Sequence, residues 1–382
     1  MKHVGPASNQ AGSHLRLPAM ILSNHSVVHY LMEQGLLPGE AVVNGDVLVL
    51  ESSRRNRNFK IIRHESPGLF VKQIQTWDPQ STSGLQREAL CYWMAAKDRG
   101  FAPLGDIMPK YRHYDPARSI LVTELCKDGE SLAEHHQRTG KFPPQVAAKL
   151  GAALGRYHKC GAAEILKSPY RGAFPKAVPW ILSLHNQTSG IFANVSAGNG
   201  QMIGILKRYP EFQKQFDALR ECWKSECLIH GDMKWDNCLL DPQSPGEGLW
   251  VVDWELADVG DPGWDIGAVF QAYLSYWIGS LPMVEGGSVQ QMIDNAPFPL
   301  ESTHPALRSF VAAYQQTRQL RAPDWPELLE RSSKFAAARM VQTVYEYMHQ
   351  SEQLTGTALC LLQTSYNMLC RTKEAQHELL GL

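Results

Sequence analysis

The sequence lacks a long hydrophobic run, a sizeable net charge and any paired arrangement of cysteines, and each absence removes a class of function. The longest apolar stretch, IGAVFQAYLSYWIG, covers only 14 residues and is broken by Gln271 and Ser275. That falls short of the roughly 20 needed to span a bilayer. The first residues, MKHVGPASNQAGSHLRLPAM, hold no continuous apolar core and do not read as a secretion signal. Lysine and arginine total 37 against 38 acidic side chains, a net charge of -1. Such a balance exerts no overall pull toward nucleic acid or an anionic membrane. The eight cysteines are scattered, several in apolar runs such as ELC, ALC and MLC, where a reduced thiol behaves as a small hydrophobe. Cys222 and Cys227 have no matching His or Cys pair downstream, which argues against zinc. The expected compartment is the reducing cytoplasm. Internal repeats and low-complexity tracts are also missing.

What remains is the composition of a soluble globular protein, 44% apolar and 20% charged. At 382 residues the chain is too long for one core of ordinary size, so two lobes are expected. Residues 1–23 read as a flexible leader, 24–125 as a strand-rich lobe and 126–382 as a helical one. Residues 24–37 suggest a short helix, started by Asn24 or Ser26 and stopped by Gly35 and Pro38. Then VLVLE (47–51), FKIIR (59–63) and LFVKQI (69–74) form three strand-like runs separated by SSRRNRN and HESPG, an antiparallel meander. A helix is expected over 83–97 and a strand over 119–125. Proline opens a helical pattern over 143–159. Further helices are expected near 203–226, 263–278, 304–319, 331–350 and 357–380. The fold class is α+β.

The densest polar knot lies in CLIHGDMKWDNCLL (227–240), where apolar ends bracket His230, Asp232, Lys234, Asp236 and Asn237. CLL (238–240) reads as a strand, DPQSPGEG (241–248) as a turn-rich connection and LWVVDW (249–254) as a second strand. If the two strands pair antiparallel, Asn237 lies beside Asp253. Asp232, on the loop leading in, is then near both. Two carboxylates and an amide repel unless a cation joins them. Hard oxygen donors in such small number suit Mg²⁺ that also holds substrate phosphates. An Asp/Asn-capped turn is the ordinary alternative for either segment alone; together the segments point to phosphoryl transfer.

At these residues the chain resembles the aminoglycoside phosphotransferase and choline kinase family of small-molecule kinases. HGDMKWDN is similar to their H-G-D-x-x-x-x-N loop. VVDWELADVGDPGWDIG is similar to their D-x-E-x-A-x-x-G-D-P-x-x-D motif, with Asp253, Glu255, Ala257, Gly260, Asp261, Pro262 and Asp265 in register. The resemblance implies a two-lobed, protein-kinase-like fold: a small β-rich nucleotide-binding N-lobe with one long helix, and a larger helical C-lobe carrying the catalytic loop and acceptor site. It implies ATP or GTP as donor and Mg²⁺ as the metal. Asp232 would accept or orient the proton of the attacking hydroxyl, while Asn237 and Asp253 would bind Mg²⁺. Lys234 would touch the transferred phosphate, a salt bridge or a solvated lysine being the alternative.

His230 is expected to hold the loop through backbone hydrogen bonds, and Glu255 to reach a metal or position a basic side chain. Asp265 is expected to cap a helix and brace the catalytic loop, and Trp254 and Trp264 to pack. Lys72, read alone, is an exposed strand residue. Within the resemblance it contacts the α- and β-phosphates and pairs with Glu88, although Arg87 stands beside that glutamate. SSRRNRN (52–58) occupies the place of a glycine-rich phosphate loop but holds no glycine. Ser52, Ser53 and Asn56 would supply polar contacts there, and Arg54, Arg55 or Arg57 would neutralise phosphate, unless this is a solvated hairpin tip. The backbone from Glu124 to Cys126 would meet the adenine edge.

Asp253 and Asp265 stand twelve positions apart, too close for the long activation segment of a protein kinase. The acceptor is therefore a hydroxyl-bearing small molecule, or a Ser/Thr of a short flexible peptide. Aminoglycoside enzymes line their acceptor pocket with acids, whereas Glu164 is the only acid over 160–210, which favours a biosynthetic or metabolic role. The tail LLQTSYNMLCRTKEAQHELLGL is similar to the C-termini of phosphotransferase-like proteins that act beside lyase-type partners in ribosomal peptide maturation; a tail helix packed on the C-lobe explains it equally. The alternative from another class is a pseudokinase, a peptide- or partner-binding subunit such as one in a lanthipeptide-type dehydrating complex.

Overall fold

In the computed structural model the described residues are 20–53, 55–186, 195–241, 248–283 and 286–382. Most of the expected leader, Arg54, and most of the connection after Asp241 lie outside them. The chain divides into two compact units. One takes Met1–His135, Ala163–Pro175 and Asp236–Ala257; the other takes His136–Ala162, Lys176–Trp235 and Asp258–Leu382. Among the described residues the strands are, in chain order, β1 (Leu48–Glu51), β2 (Asn56–Ile62), β3 (Leu69–Ile74), β4 (Tyr111–Asp115), β5 (Ile120–Glu124), β6 (Glu130–Ser131), β7 (Cys227–Ile229), β8 (Cys238–Leu240), β9 (Leu249–Val251) and β10 (Asp258–Gly260).

In the first unit five strands form an antiparallel sheet in the order β1-β2-β3-β5-β4. Side chains alternate between its faces. Phe59, Ile61, Val71 and Val122 bury one face against Tyr30 and Leu31 of the Ser26–Glu33 helix. That helix ends as its sequence suggests, at Gly35 with φ +68°, and a second short helix follows at Gly39–Val43. The buried Gln73 ties the segment before the helix to β3, accepting from the Leu22 amide and donating to the Met20 carbonyl.

Lys72, one residue from Val71, projects to the opposite face. There it meets Glu88 of the Pro79–Lys97 helix. This helix starts a turn earlier than its apolar spacing suggests. Asp78 caps it, accepting from the Ser81 amide and hydroxyl, and Pro79 takes the first helical position. A second sheet, β6-β8-β9, carries the predicted hairpin: Cys238 pairs with Val251 and Leu240 with Leu249.

The second unit is helical apart from the antiparallel pair β7–β10. The Pro144–Tyr157 helix packs on His304–Arg318 so closely that a Cβ on Gly151 would lie 2.2 Å from the Phe310 carbonyl oxygen. The Pro262–Ser280 and Trp325–Tyr347 helices approach similarly, where a Cβ on Gly267 would meet the Ser332 carbonyl at 2.7 Å. The single helix expected over 203–226 is two, Ala197–Arg208 and Pro210–Glu221, because Pro210 restarts the backbone. The tail forms Gly356–Cys370 and Thr372–Glu378. It packs on Trp325–Tyr347, with the Ser365 hydroxyl donating to the Ala337 carbonyl at 2.8 Å. Among the described residues no helix is long and apolar enough to cross a membrane.

Candidate active site

In the first unit the site grows from β3, the Pro79–Lys97 helix and the β8–β9 hairpin. Lys72 Nζ lies 2.7 Å from Glu88 Oε2, 2.5 Å from Asp253 Oδ1 and 3.4 Å from Glu255 Oε2. Its side chain is only 7% exposed, so the reading as a solvated strand lysine does not hold. Burial works against the Lys72 charge, but Glu88, Asp253 and Glu255 outweigh it and raise its pKa. Arg87 is engaged elsewhere, donating to the carbonyls of Ala173 and Glu255, which leaves the pairing to Glu88.

Burial pushes the Glu88 carboxyl up to about 7, against the pull of Lys72. A carboxyl raised from 4.5 to about 7 binds its proton more readily in the folded chain than in the unfolded one. Stability from this group is therefore greatest at low pH and declines as pH rises through that window. Glu88→Gln removes the titration. Its melting temperature should gain on wild type between pH 4.5 and about 7, and a gap that stays constant with pH would refute the assignment.

The hairpin register sets Asn237 opposite Val252, whose amide donates to the Asn237 carbonyl at 2.9 Å. Asn237 and Asp253 thus stand side by side at one strand end. Asp253 adopts the left-handed conformation, φ 66° and ψ 57°, which costs a non-glycine residue about 1–2 kcal/mol. The carboxylates of Glu88, Asp253 and Glu255 converge, their oxygens lying within 4.8 Å of one another. With Asn237 beside Asp253 in the hairpin, this all-oxygen donor set fits Mg²⁺. Glu255 also receives Arg55 Nη1 at 3.2 Å and Asn56 Nδ2 at 3.5 Å; it holds basic and polar side chains of the glycine-free tip. The Ser53 hydroxyl is engaged within the hairpin, donating to Glu51 and accepting from the Asn58 amide, and the Ser52 amide donates to the Asn58 carbonyl.

At the end of β5 the Glu124 amide bonds the Lys110 carbonyl and the Leu125 amide bonds the Gly68 carbonyl, while the Glu124 carboxylate pairs with Arg112 at 2.7 Å. Burial pushes the Cys126 thiol up to about 12, so it is unreactive.

In the second unit β7 delivers the loop that begins at His230. Asp265, fully buried, accepts the His230 amide at 2.6 Å and the Gly231 amide at 3.1 Å. Tyr157 donates to it at 2.8 Å and His158 Nε2 lies 3.4 Å away. Burial alone would raise the Asp265 carboxyl; hydrogen bonds from His158 and the His230 backbone outweigh it and lower its pKa. Burial pushes His158 down toward its neutral form. The tautomer that satisfies its neighbours donates from Nε2 and accepts the Tyr314 hydroxyl, 3.0 Å from Nδ1. Asp265 therefore braces the loop as expected, but it is not the helix cap. Asp261 is, accepting the Gly263 amide at 2.8 Å and the Arg331 guanidinium.

Gly231 turns the loop with φ +80°, a conformation that favours glycine. The Asp232 amide donates to His230 Nδ1 at 3.3 Å, a backbone hold of the kind expected of that histidine. Lys234 Nζ contacts Asp232 Oδ2 at 2.8 Å. Trp264 does more than pack: its indole donates to the Gly231 carbonyl at 3.0 Å. The same carbonyl receives Arg339 Nη1 at 3.3 Å. Arg339 is a residue that sequence reasoning missed.

Comparison with known proteins places the chain in a family. The description "phosphotransferase enzyme family" (APH) matches residues 101–328, more than half of the chain. Acyl-CoA dehydrogenase family member 11 from Mus musculus is 32% identical over 122 residues, which are 31% of this chain and 14% of that protein. The chain thus spans about 14% of the length of the curated relatives first matched. Among solved structures, an ethanolamine kinase from Plasmodium vivax superposes with a TM-score of 0.55 at 13% identity, covering 91% of this chain and 89% of that one. The aminoglycoside 2'-phosphotransferase IIIa GDP complex gives 0.50 at 15% identity, covering 93% and 99%. These likenesses show a protein-kinase-like α+β fold. On the match across residues 101–328, the chain belongs to the phosphotransferase enzyme family.

Proposed function

We propose that the protein moves the γ-phosphate of ATP or GTP to a hydroxyl of a small molecule. The observation that carries the reading is the Lys72 ammonium buried among Glu88, Asp253 and Glu255. A lysine so ordered is pre-set to meet the α- and β-phosphates, with Glu88 fixing its direction. Asn237 and Asp253 would hold Mg²⁺, which when bound neutralises charge on the phosphates. Asp232 orients the acceptor hydroxyl and receives its proton, and Lys234 faces the transferred phosphate. Arg55 and Asn56, now on Glu255, take the part of the missing glycines by side-chain rather than backbone contact; Ser52, Ser53 and the backbone from Glu124 to Cys126 complete the nucleotide contacts. The work of these residues is positioning and charge neutralisation. A cytoplasmic setting is part of the reading.

The intact Lys72–Glu88 pair favours a working enzyme over a pseudokinase subunit. The test is thermal shift with Mg–ATP and Mg–GTP, followed by turnover with a panel of acceptors. The panel includes small alcohols, amino alcohols and sugars. An acyl thioester bearing a hydroxyl is added because an acyl-CoA dehydrogenase family member is among the similar proteins, and a Ser/Thr peptide covers the peptide alternative. Stabilisation by nucleotide and turnover with a small hydroxyl compound are expected. Turnover with the peptide alone would move the acceptor class and bring a lyase-type partner into question. Neither binding nor turnover would sink the reading in favour of the pseudokinase.

A further inference from the structure

Arg339 sits on the Trp325–Tyr347 helix with alanines at 336, 337 and 338 before it, and its side chain is 6% exposed. A cation in such a place is costly unless it is compensated. Three groups compensate it. The Trp264 ring lies 4.9 Å from its guanidinium carbon, a cation–π distance. The Gly231 carbonyl accepts from Nη1 at 3.3 Å. The Asp232 carboxylate lies 3.8 Å from Nη2 through Oδ1. Among the described residues Nε has no hydrogen-bond partner, so the contacts of the guanidinium lie on its two terminal nitrogens. It is placed against the loop.

We propose that Arg339 is a positioning residue for Asp232, an inference that rests on the reading of Asp232 as the group that orients the acceptor hydroxyl. One nitrogen holds the peptide that precedes Asp232, and the other supplies positive charge to its carboxylate. At 3.8 Å the second contact is electrostatic and too long for a hydrogen bond. Arg339 therefore steadies Oδ1 without taking up a lone pair that a hydroxyl proton needs. Lys234 makes the short contact, to the other oxygen, at 2.8 Å. Trp264 completes the grip, giving Arg339 a face to lie on and donating to the same Gly231 carbonyl.

The test compares wild type with R339Q, R339M and R339K. Steady-state hydrolysis of Mg–ATP by water is the readout, giving kcat and KM, together with the dissociation constant for ATP. Loss of the guanidinium should lower kcat by about 10- to 100-fold, the scale of a misplaced catalytic group, with KM for ATP unchanged. R339K, which keeps a charge but not the two-pronged geometry, should fall between. A folded R339Q or R339M with wild-type kcat overturns the inference. So does a parallel loss of kcat and ATP affinity, or variants that neither melt cooperatively nor bind ATP, since Arg339 is then an ion of the core. Asp232→Asn measured alongside separates the two levels: if it retains wild-type turnover, the reading of Asp232 fails rather than that of Arg339.

Discussion

Asp232→Asn should leave folding and nucleotide binding intact while lowering turnover by about 10²- to 10⁴-fold, the usual contribution of a positioned general base. The side chain is replaced by one of the same shape, and the loop's main supports do not pass through it. They run from the His230 and Gly231 amides to Asp265 and from the Gly231 carbonyl to Trp264 and Arg339. An amide still accepts a hydrogen bond but cannot carry away a hydroxyl proton. The check is kcat with the best acceptor together with nucleotide-induced thermal shift. A variant that binds nucleotide normally and turns over near the wild-type rate would remove Asp232 from its role.

Asp253→Asn should weaken Mg-dependent nucleotide binding and reduce kcat/KM by about 10²- to 10³-fold, the scale of losing one preorganised charge at the transferring phosphate. The prediction follows from the cluster's charges. With Asp253 neutral, Lys72 keeps Glu88 and Glu255, so its ammonium remains ordered and nucleotide still finds it. What is lost is a hard, charged donor next to Asn237. Nucleotide affinity measured with and without Mg²⁺ separates the effects: the metal-dependent part should shrink and the metal-independent part persist. An unchanged Mg²⁺ dependence would place the metal elsewhere.

Much of this arrangement was legible because it depends on short-range order. The proximity of Asn237 and Asp253 follows from two strands of opposite direction and a turn, and the register confirms it through Cys238 and Val251. The Lys72–Glu88 pair depends on a strand followed by one helix, and the alternation along LFVKQI places Val71 and Lys72 on opposite faces. Where the reading slipped, a local competitor was at work. β4, with sequence YRHYD, is too polar to look like a strand, yet it pairs with β5 through a bulge. β10 is only Asp-Val-Gly, and its pairing with β7 is tertiary. The cap of the Pro262–Ser280 helix fell to Asp261 because Pro262 takes the first helical position. Arg339 could not have been found in sequence: its partner carbonyl, Gly231, lies 108 residues away. Nothing around it but the cost of burying a charge sets it apart.

The grip on Gly231 and Asp265 also bears on when disorder is given up. Amides and a carbonyl of the loop's backbone are held by side chains that belong to the folded core. The loop's freedom is therefore surrendered once, as the chain folds. If Asp232 has the role proposed above, an arriving hydroxyl would meet a group on a loop already ordered, so that little ordering of the loop would remain to oppose the encounter.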